Sequence, residues 1–309
     1  MKGPLISVLM VTYNSSLFVE KSIESILNQS YIYWELIIFD DNSTDDTWTK
    51  VSFFNDQRIK KFKNLSNLGE YENRNQALLT AEGDWVIFID ADDILYEYGL
   101  EVMIGQALKH ASCGMLICRP WDERILYPVV ISPRQFYLFE YLDTSIIGIN
   151  FTKVLFKRTA VLKVGSFDQL NIKMGDAFLQ YKIGMLYDTI VIQDGFSWWR
   201  RRKGQASENL VQNTHLFIID SYQYLIPLLQ DPNNPLTNEQ KQIAFYNLYG
   251  NYIRLMAKSL LKLKIKTFLI LLNANGIPYK YLKSIFIPQR RNYFNSYSGE
   301  NPLKHSEPY

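Results

Sequence analysis

Three apolar runs, each closing on a polar or acidic cluster, constrain this chain more than any other feature. Leu5 to Val11 ends in Thr12-Tyr13-Asn14, Glu35 to Phe39 in Asp40-Asp41-Asn42, and Trp85 to Ile89 in Asp90-Ala91-Asp92-Asp93. After the first run Val19, Ile23, Ile26 and Leu27 recur at helical spacing. After the second, Ser43 followed by Asp46 resembles a helix capping box. The pattern further predicts a short strand over 58–62, helices over 70–81 and 99–109, and a strand near 114–118. Strands and helices that alternate in this way build an α/β fold with a mostly parallel, helix-covered sheet. Ligands of such sheets bind beyond the carboxyl ends of the strands, so all three polar clusters are expected to line one crevice.

The third cluster puts three carboxylates within four residues. Each added carboxylate raises the cost of ionising its neighbours unless a cation neutralises them. Oxygen-only ligands favour hard divalent ions, Mg2+ or Mn2+, which bind through one or two carboxylates and complete their shell with water and phosphate. The plainer reading is an acidic turn that caps the next helix. There is no G-x-G-x-x-G after the first strand and no G-x-x-x-x-G-K-[ST] anywhere, which disfavours a dinucleotide oxidoreductase and a P-loop phosphotransferase. Any bound phosphate must then be held by metal and by Arg or Lys.

The 309 residues, 47% of them hydrophobic, suit one sizeable α/β domain with an appendage. The two cysteines, Cys113 and Cys118, share one apolar stretch and read as reduced core residues of a cytoplasmic protein. Lys2 and the apolar run behind it lack a small-residue cleavage site and do not read as a leader. No segment approaches the roughly 18 uninterrupted apolar residues of a membrane span.

The net charge of +2 hides a division. Residues 241–309 carry 11 basic and 2 acidic side chains, leaving 22 basic against 29 acidic in the first 240, and from Lys241 to Arg291 there is no acid at all. Arg254, Lys258, Lys262 and Lys266 recur every fourth residue, a basic stripe on an expected helix from Ile253 to Leu272. Basic amphipathic helices of this composition lie on anionic lipid. An anionic membrane surface is therefore the expected partner of residues 241–291, and no nucleic-acid partner is expected. The plainer reading is a helix packed on the main domain with its lysines in water. A break is expected at Pro232 to Pro235, and a disordered tail over 297–309.

Taken in order, the motifs resemble the inverting family-2 glycosyltransferases of the GT-A fold that build bacterial capsule, lipopolysaccharide and related surface polysaccharides. The resemblance rests on Val11-Thr12-Tyr13-Asn14, Asp40 to Asp45, Asn67-Leu68-Gly69 with Arg74-Asn75, Gly83-Asp84 to Asp93, Gly165-Ser166-Phe167-Asp168, Gly175-Asp176 and the Arg200 to Ser207 stretch. It implies a GT-A, Rossmann-like mixed sheet over 1–212, with nucleotide-sugar binding in about 1–110 and the acceptor side and catalytic base in about 111–212. A basic helical extension follows over 213–296.

By residue, the resemblance implies that Val11 and Tyr13 border the nucleotide base and that Asp41 accepts the imide N–H of a uracil. Arg74 would sit beside the base or diphosphate, Asp90 would contact the ribose, and Asp92 would ligate Mn2+ or Mg2+ with Asp93 assisting or merely capping. Asp176 matches the general base, with Asp168 as its nearest competitor, although Gly175 stands where that family commonly has Glu. Arg200 and Arg202 would clamp the diphosphate, and Trp198 or Trp199 would stack on a sugar or serve the core. The implied reaction moves a sugar, with inversion, from a nucleotide donor, UDP-linked by preference, to a glycan or lipid-linked glycan at the inner face of the cytoplasmic membrane. A sugar-nucleotide nucleotidyltransferase would instead need a Gly-rich, basic loop after the first strand, which Tyr13-Asn14-Ser15-Ser16 is not. A catalytically silent binding protein of the same fold would have no need of Asp41, Asp90, Asp92 and Asp176.

Overall fold

A computed structural model describes residues 3–120, 122, 125–143, 145–147, 150–167, 175–200, 214–274, 277, 278, 280 and 281. Its centre is an eight-stranded sheet in the order β3-β2-β1-β4-β8-β6-β9-β7. These strands are β1 (Ile6–Thr12), β2 (Trp34–Asp40), β3 (Ile59–Lys63), β4 (Trp85–Asp90), β6 (Cys113–Arg119), β7 (Val129–Ile131), β8 (Val154–Lys157) and β9 (Asp188–Gln193). β3, β2, β1 and β4 run parallel. β8 enters antiparallel between β4 and β6, which is parallel to β9. The acid-tipped strands β2 and β4 flank β1 on opposite sides, so the chain reverses its direction of growth at β1 and opens a crevice there.

The near-continuous apolar character of β1, β2 and β4 follows from burial on both faces. Leu9, Ile37, Val86 and Phe88 face one core together with Ala77 and Leu78 of α3 (Glu70–Thr80). Val8, Met10, Leu36, Ile38, Ile87 and Ile89 face the other core, which takes in Val19, Ile23 and Ile26 of α1 (Val19–Leu27) and Leu100 and Met103 of α4 (Gly99–Ala107). Cys113 and Cys118 are buried and unbridged within β6. Asn14 and Asn42, which follow β1 and β2, take φ of 47° and 61°, the left-handed region that Asn tolerates better than most residues.

The expected capping box at Ser43 does not form. α2 (Thr47–Ser52) begins at Asp46 without a side-chain cap, and Asp45 instead accepts the Thr47 N–H at 2.9 Å. Ser43 is drawn to Asp40, its hydroxyl donating at 2.6 Å and its N–H at 2.9 Å.

A second departure concerns the C-terminal helices. After α5 (Pro133–Leu142), α6 (Arg158–Lys163) and α7 (Gly175–Leu186) come α8 (Thr214–Gln230), α9 (Asn238–Leu261) and α10 (Ile265–Ala274). The expected single basic helix over Ile253 to Leu272 is thus two helices joined at Leu263, whose φ is 53°. The near end of this unit joins the main core through Tyr224, Leu228, Leu229, Leu236 and Ala244. Its far end has a small core of its own, built from Ile219, Tyr222, Tyr252, Met256 and Leu271. Among the described residues no helix is long and apolar enough to cross a membrane.

Candidate active site

The first wall of the crevice is a latch between the loops after β1 and β2. Thr12 Oγ1 and Ser43 Oγ both donate to Asp40 Oδ1, at 2.9 and 2.6 Å. The N–H groups of Asn14, Ser15 and Ser16 donate to Ser43, Thr47 and Asp45. Burial works against the Asp45 charge, but hydrogen bonds from Thr47 and Ser16 hold its carboxyl down to about 2. Above the latch Tyr13 is 51% exposed and Val11 partly so, so Tyr13 is not a core aromatic.

Asp41 is buried, and its carboxylate pins the loop that leads into α3. Leu68 N–H and Asn64 Nδ2 donate to Oδ1 at 2.8 and 2.9 Å, and Gly69 N–H donates to Oδ2 at 2.9 Å. A carboxylate offers about four lone-pair sites, and these three donors take most of them.

Arg74, expected beside the base or diphosphate, is a buried side chain. It is only 2% exposed and packs against the rings of Phe88 and Phe151, at 5.7 and 4.9 Å, which also touch each other with centroids 5.0 Å apart. Its guanidinium bridges Glu70 at 3.0 Å and Asp90 at 2.6 Å. Burial opposes its charge, but the carboxylates of Asp90 and Glu70 more than compensate and raise its pKa. One nitrogen, Nη1, is buried without a hydrogen-bond partner among the described residues. The visible work of Arg74 is to hold Asp90. Glu70 was not singled out from the sequence, although its i,i+4 spacing to Arg74 is the signal that marks it.

At the β4 tip the three carboxylates divide. Asp90 is partly exposed, whereas Asp92 and Asp93 are buried. Asp93, expected to assist the metal or merely cap, has both carboxylate oxygens engaged by protein donors. Its Oδ2 accepts from Asn150 Nδ2 at 3.0 Å and Thr152 Oγ1 at 2.7 Å, and its Oδ1 accepts from Arg200 N–H at 3.3 Å. Burial first, then the neighbouring Asp90 and Asp92 charges, pushes its carboxyl up to about 7. Among the described residues no three His, Cys, Asp or Glu side chains form a closed metal cage. The donor set, hard oxygens with few protein ligands, fits an ion that completes its shell with phosphate and water.

A two-residue ribbon, β5 (Ile94–Leu95) against β10 (Ser197–Trp198), carries Arg200 to this tip. Arg200 Nε donates to the Asp92 carbonyl at 3.0 Å, and its guanidinium lies over Phe18 at 4.7 Å and Trp198 at 4.5 Å. Trp198 is exposed. Arg202 and Asp168 lie outside the described residues.

Asp176 stands in the first turn of α7, where a helix terminus favours negative charge. Its Oδ1 accepts the Ala177 N–H at 2.8 Å. Burial, with the Glu70 and Asp90 charges adding and Ala177 and Arg74 opposing, pushes its carboxyl up to about 6. It therefore feels the same Glu70, Arg74 and Asp90 group that shapes the β4 tip. Gly175 also has a local reason. A Cβ there would come within 2.5 Å of the Tyr71 ring, and Tyr71 Oη accepts the Gly175 N–H at 2.8 Å. Neither Tyr71 nor the pair Asn150 and Thr152 carries a sequence signal that marks it.

Comparison with known proteins gives a consistent result. The sequence model of the family described as "Glycosyl transferase family 2" matches residues 7–165. An Escherichia coli protein, "UDP-Glc:alpha-D-GlcNAc-diphosphoundecaprenol beta-1,3-glucosyltransferase WfgD", is 42% identical over 106 residues, 34% of this chain and 42% of that protein. The chain thus spans under half of that relative's length. Among solved structures, S. aureus TarS 1-349 in complex with UDP-GlcNAc superposes with a TM-score of 0.63 at 18% identity, covering 91% of this chain and 81% of that one. The mannosyltransferase PcManGT from Pyrobaculum calidifontis, in complex with GDP-Man and Mn2+, gives 0.57 at 19% identity over 94% and 88%. At such identities these two likenesses concern the fold.

Proposed function

This chain belongs to glycosyl transferase family 2, and from that premise we propose that it transfers a sugar, with inversion, from a UDP-linked donor to a hydroxyl of a lipid-linked glycan, using Mn2+ or Mg2+. The observation that carries the reading is the shared group of Glu70, Arg74, Asp90 and Asp176. One carboxylate whose pKa is raised to about 6 stands beside the crowded acidic tip that suits a metal diphosphate. The acceptor is inferred from the lipid diphosphate in the relative's name. The metal is supported by the Mn2+ in the mannosyltransferase complex and the donor by the UDP-GlcNAc in the TarS complex. Surface-polysaccharide synthesis at the inner face of the cytoplasmic membrane is the setting that such an acceptor implies.

In this mechanism the exposed ring of Tyr13, with Val11, takes the base, and the remaining acceptor site of Asp41 receives its imide N–H. Asp90, held by Arg74, receives the ribose hydroxyls. Asp92 would hold the divalent ion, which when bound would supply Lewis-acid stabilisation of the departing diphosphate. Arg200, clasped to the Asp92 carbonyl, brings a second cation to the same place and binds phosphate through its fork of N–H groups. Arg202 is assigned with it on the resemblance alone. The Ala177 N–H fixes one oxygen of Asp176, and the other takes the proton of the attacking hydroxyl. A base near pKa 6 is ionised at neutral pH yet basic enough to be useful. A single base, rather than a nucleophile, supports inversion.

Nucleotidyl transfer is disfavoured by the loop after β1. A phosphate cradle needs free backbone N–H groups, and those of Asn14, Ser15 and Ser16 are already given to side chains. The chemistry is tested with UDP-sugars and Mn2+. Slow release of UDP, abolished by chelator and by Asp92→Asn, is expected. Release of pyrophosphate from UTP would replace sugar transfer with nucleotidyl transfer.

A further inference from the structure

Residues 260–266 read Leu-Leu-Lys-Leu-Lys-Ile-Lys, and all seven are exposed. They form the turn between α9 and α10. Leu261 and Leu263 are 85% and 81% exposed, and Leu269 and Leu272 of α10 are also open. Isolated surface leucines need no explanation, but a contiguous apolar tip marks an interaction surface. Its conformation adds to the case. Leu263 occupies the left-handed region at φ 53°, where Gly or Asn would fit at less cost. A leucine that is both strained and solvent-facing gains nothing from the fold of this chain.

The tip is nevertheless held firmly. Lys264 N–H donates to the Ser259 carbonyl and Leu263 N–H to the Leu260 carbonyl, both at 2.9 Å. Tyr252 Oη donates to the Leu271 carbonyl at 2.7 Å across the two helices. At about 1.5 Å per helical residue, α9 carries the tip about 20 Å past the point where Asn247 bonds to Tyr141 of α5. Lysines at 258, 262, 264 and 266 alternate with the leucines, and the sequence from Lys241 to Arg291 has no acid to neutralise them.

We propose that the α9–α10 turn is a wedge for an anionic lipid bilayer, Leu261 and Leu263 entering the headgroup boundary while the surrounding lysines meet lipid phosphate. Lysine stems suit such a boundary, since they bury their methylenes and keep the ammonium wet. The charge of the tip selects the occupant. A second copy of this chain would bring the same lysines against these, whereas anionic headgroups complement them. The wedge stands on this surface alone, and only its purpose, keeping the crevice near a lipid-linked acceptor, rests on the proposed transfer.

Flotation of the full chain with vesicles tests it. The wild type is expected to rise with phosphatidylglycerol-containing vesicles and to stay down with pure phosphatidylcholine. The double variant Leu261→Ser, Leu263→Ser should lose binding at least about tenfold, and each of Lys258, Lys262, Lys264 and Lys266 changed to Gln should lose about fivefold. Donor hydrolysis should be unchanged in all of them, which separates failure of the wedge from failure of sugar transfer. Leu263→Trp should show a blue shift on adding the anionic vesicles. Equal flotation with both lipids, none with either, an unshifted tryptophan, or a wild-type dimer that the double Ser variant makes monomeric would each overturn the proposal.

Discussion

Strands β2 and β4 both end in clustered aspartates on either side of β1, yet the two tips are built differently. At the β2 tip every carboxylate is answered from within the protein. Asp40 takes Thr12 and Ser43, and Asp41 takes Asn64, Leu68 and Gly69. At the β4 tip Asp90, Asp92 and Asp93 crowd one another, and the Asp93 carboxyl is driven up to about 7, by burial and then by those neighbours. Acid at a strand end therefore does not by itself mark a site. What differs is the company: the β2 acids are met by hydroxyl, amide and backbone N–H donors, whereas those at the β4 tip stand among like charges and the guanidinium groups of Arg74 and Arg200.

Substitutions can break this contrast or sharpen it. The largest expected effect belongs to the β4 side, where Asp176→Asn should lower kcat by about 10²- to 10⁴-fold while UDP binding, read by titration calorimetry, is retained. Loss of UDP binding instead would return Asp176 to a structural role and blur the contrast. On the β2 side Asp40→Ala should cost about 2–4 kcal/mol in denaturant unfolding, since it orphans the buried hydroxyls of Thr12 and Ser43. A normal stability with abolished donor binding would make the two tips alike.

A smaller effect is expected in the pH profile. The Asp176 pKa is raised to about 6 in the fold, so kcat/KM should climb with pH through about 6 and then level off. The sign for stability is the reverse. A carboxyl whose folded pKa exceeds its unfolded value contributes stability at low pH that is lost as pH rises through about 6. Asp176→Asn should therefore melt higher than the wild type at pH 8 and not at pH 4. The smallest effect is assigned to Tyr71→Phe. It removes one hydrogen bond to the start of α7, worth about 1 kcal/mol, and should lower kcat severalfold with KM held. A fall in melting point with kcat intact would leave Tyr71 a packing residue.

The strands and their acidic ends were legible because burial on both faces writes itself into the sequence as unbroken apolar runs. Partner choice was not legible. Ser43 and Asp46 have capping spacing, but Asp40 lies three residues upstream of Ser43 and outcompetes the helix for its hydroxyl. The burial of Arg74 was not legible, because nothing local signals that Phe151, distant in sequence, will pack against it. The basic stripe over Ile253 to Leu272 looked continuous because the turn that divides it is made by Leu263, with no Gly or Pro to betray it. Tyr71 became visible only in the folded structure, although the space its ring fills explains Gly175.

The aromatic pair against which Arg74 packs bears on how such enzymes can be recombined. One ring, Phe88, comes from β4 ahead of the acidic tip, while Phe151 lies well beyond that tip, beside Asn150 and Thr152, the residues that steady Asp93. A chimera joined just after the acidic tip would import the strands and their aspartates and leave behind the three residues that pack on Arg74 and Asp93. Exchange of N-terminal segments between relatives is expected to succeed only when the crossover falls beyond Thr152, so the unit that can be inherited is longer than the motifs suggest.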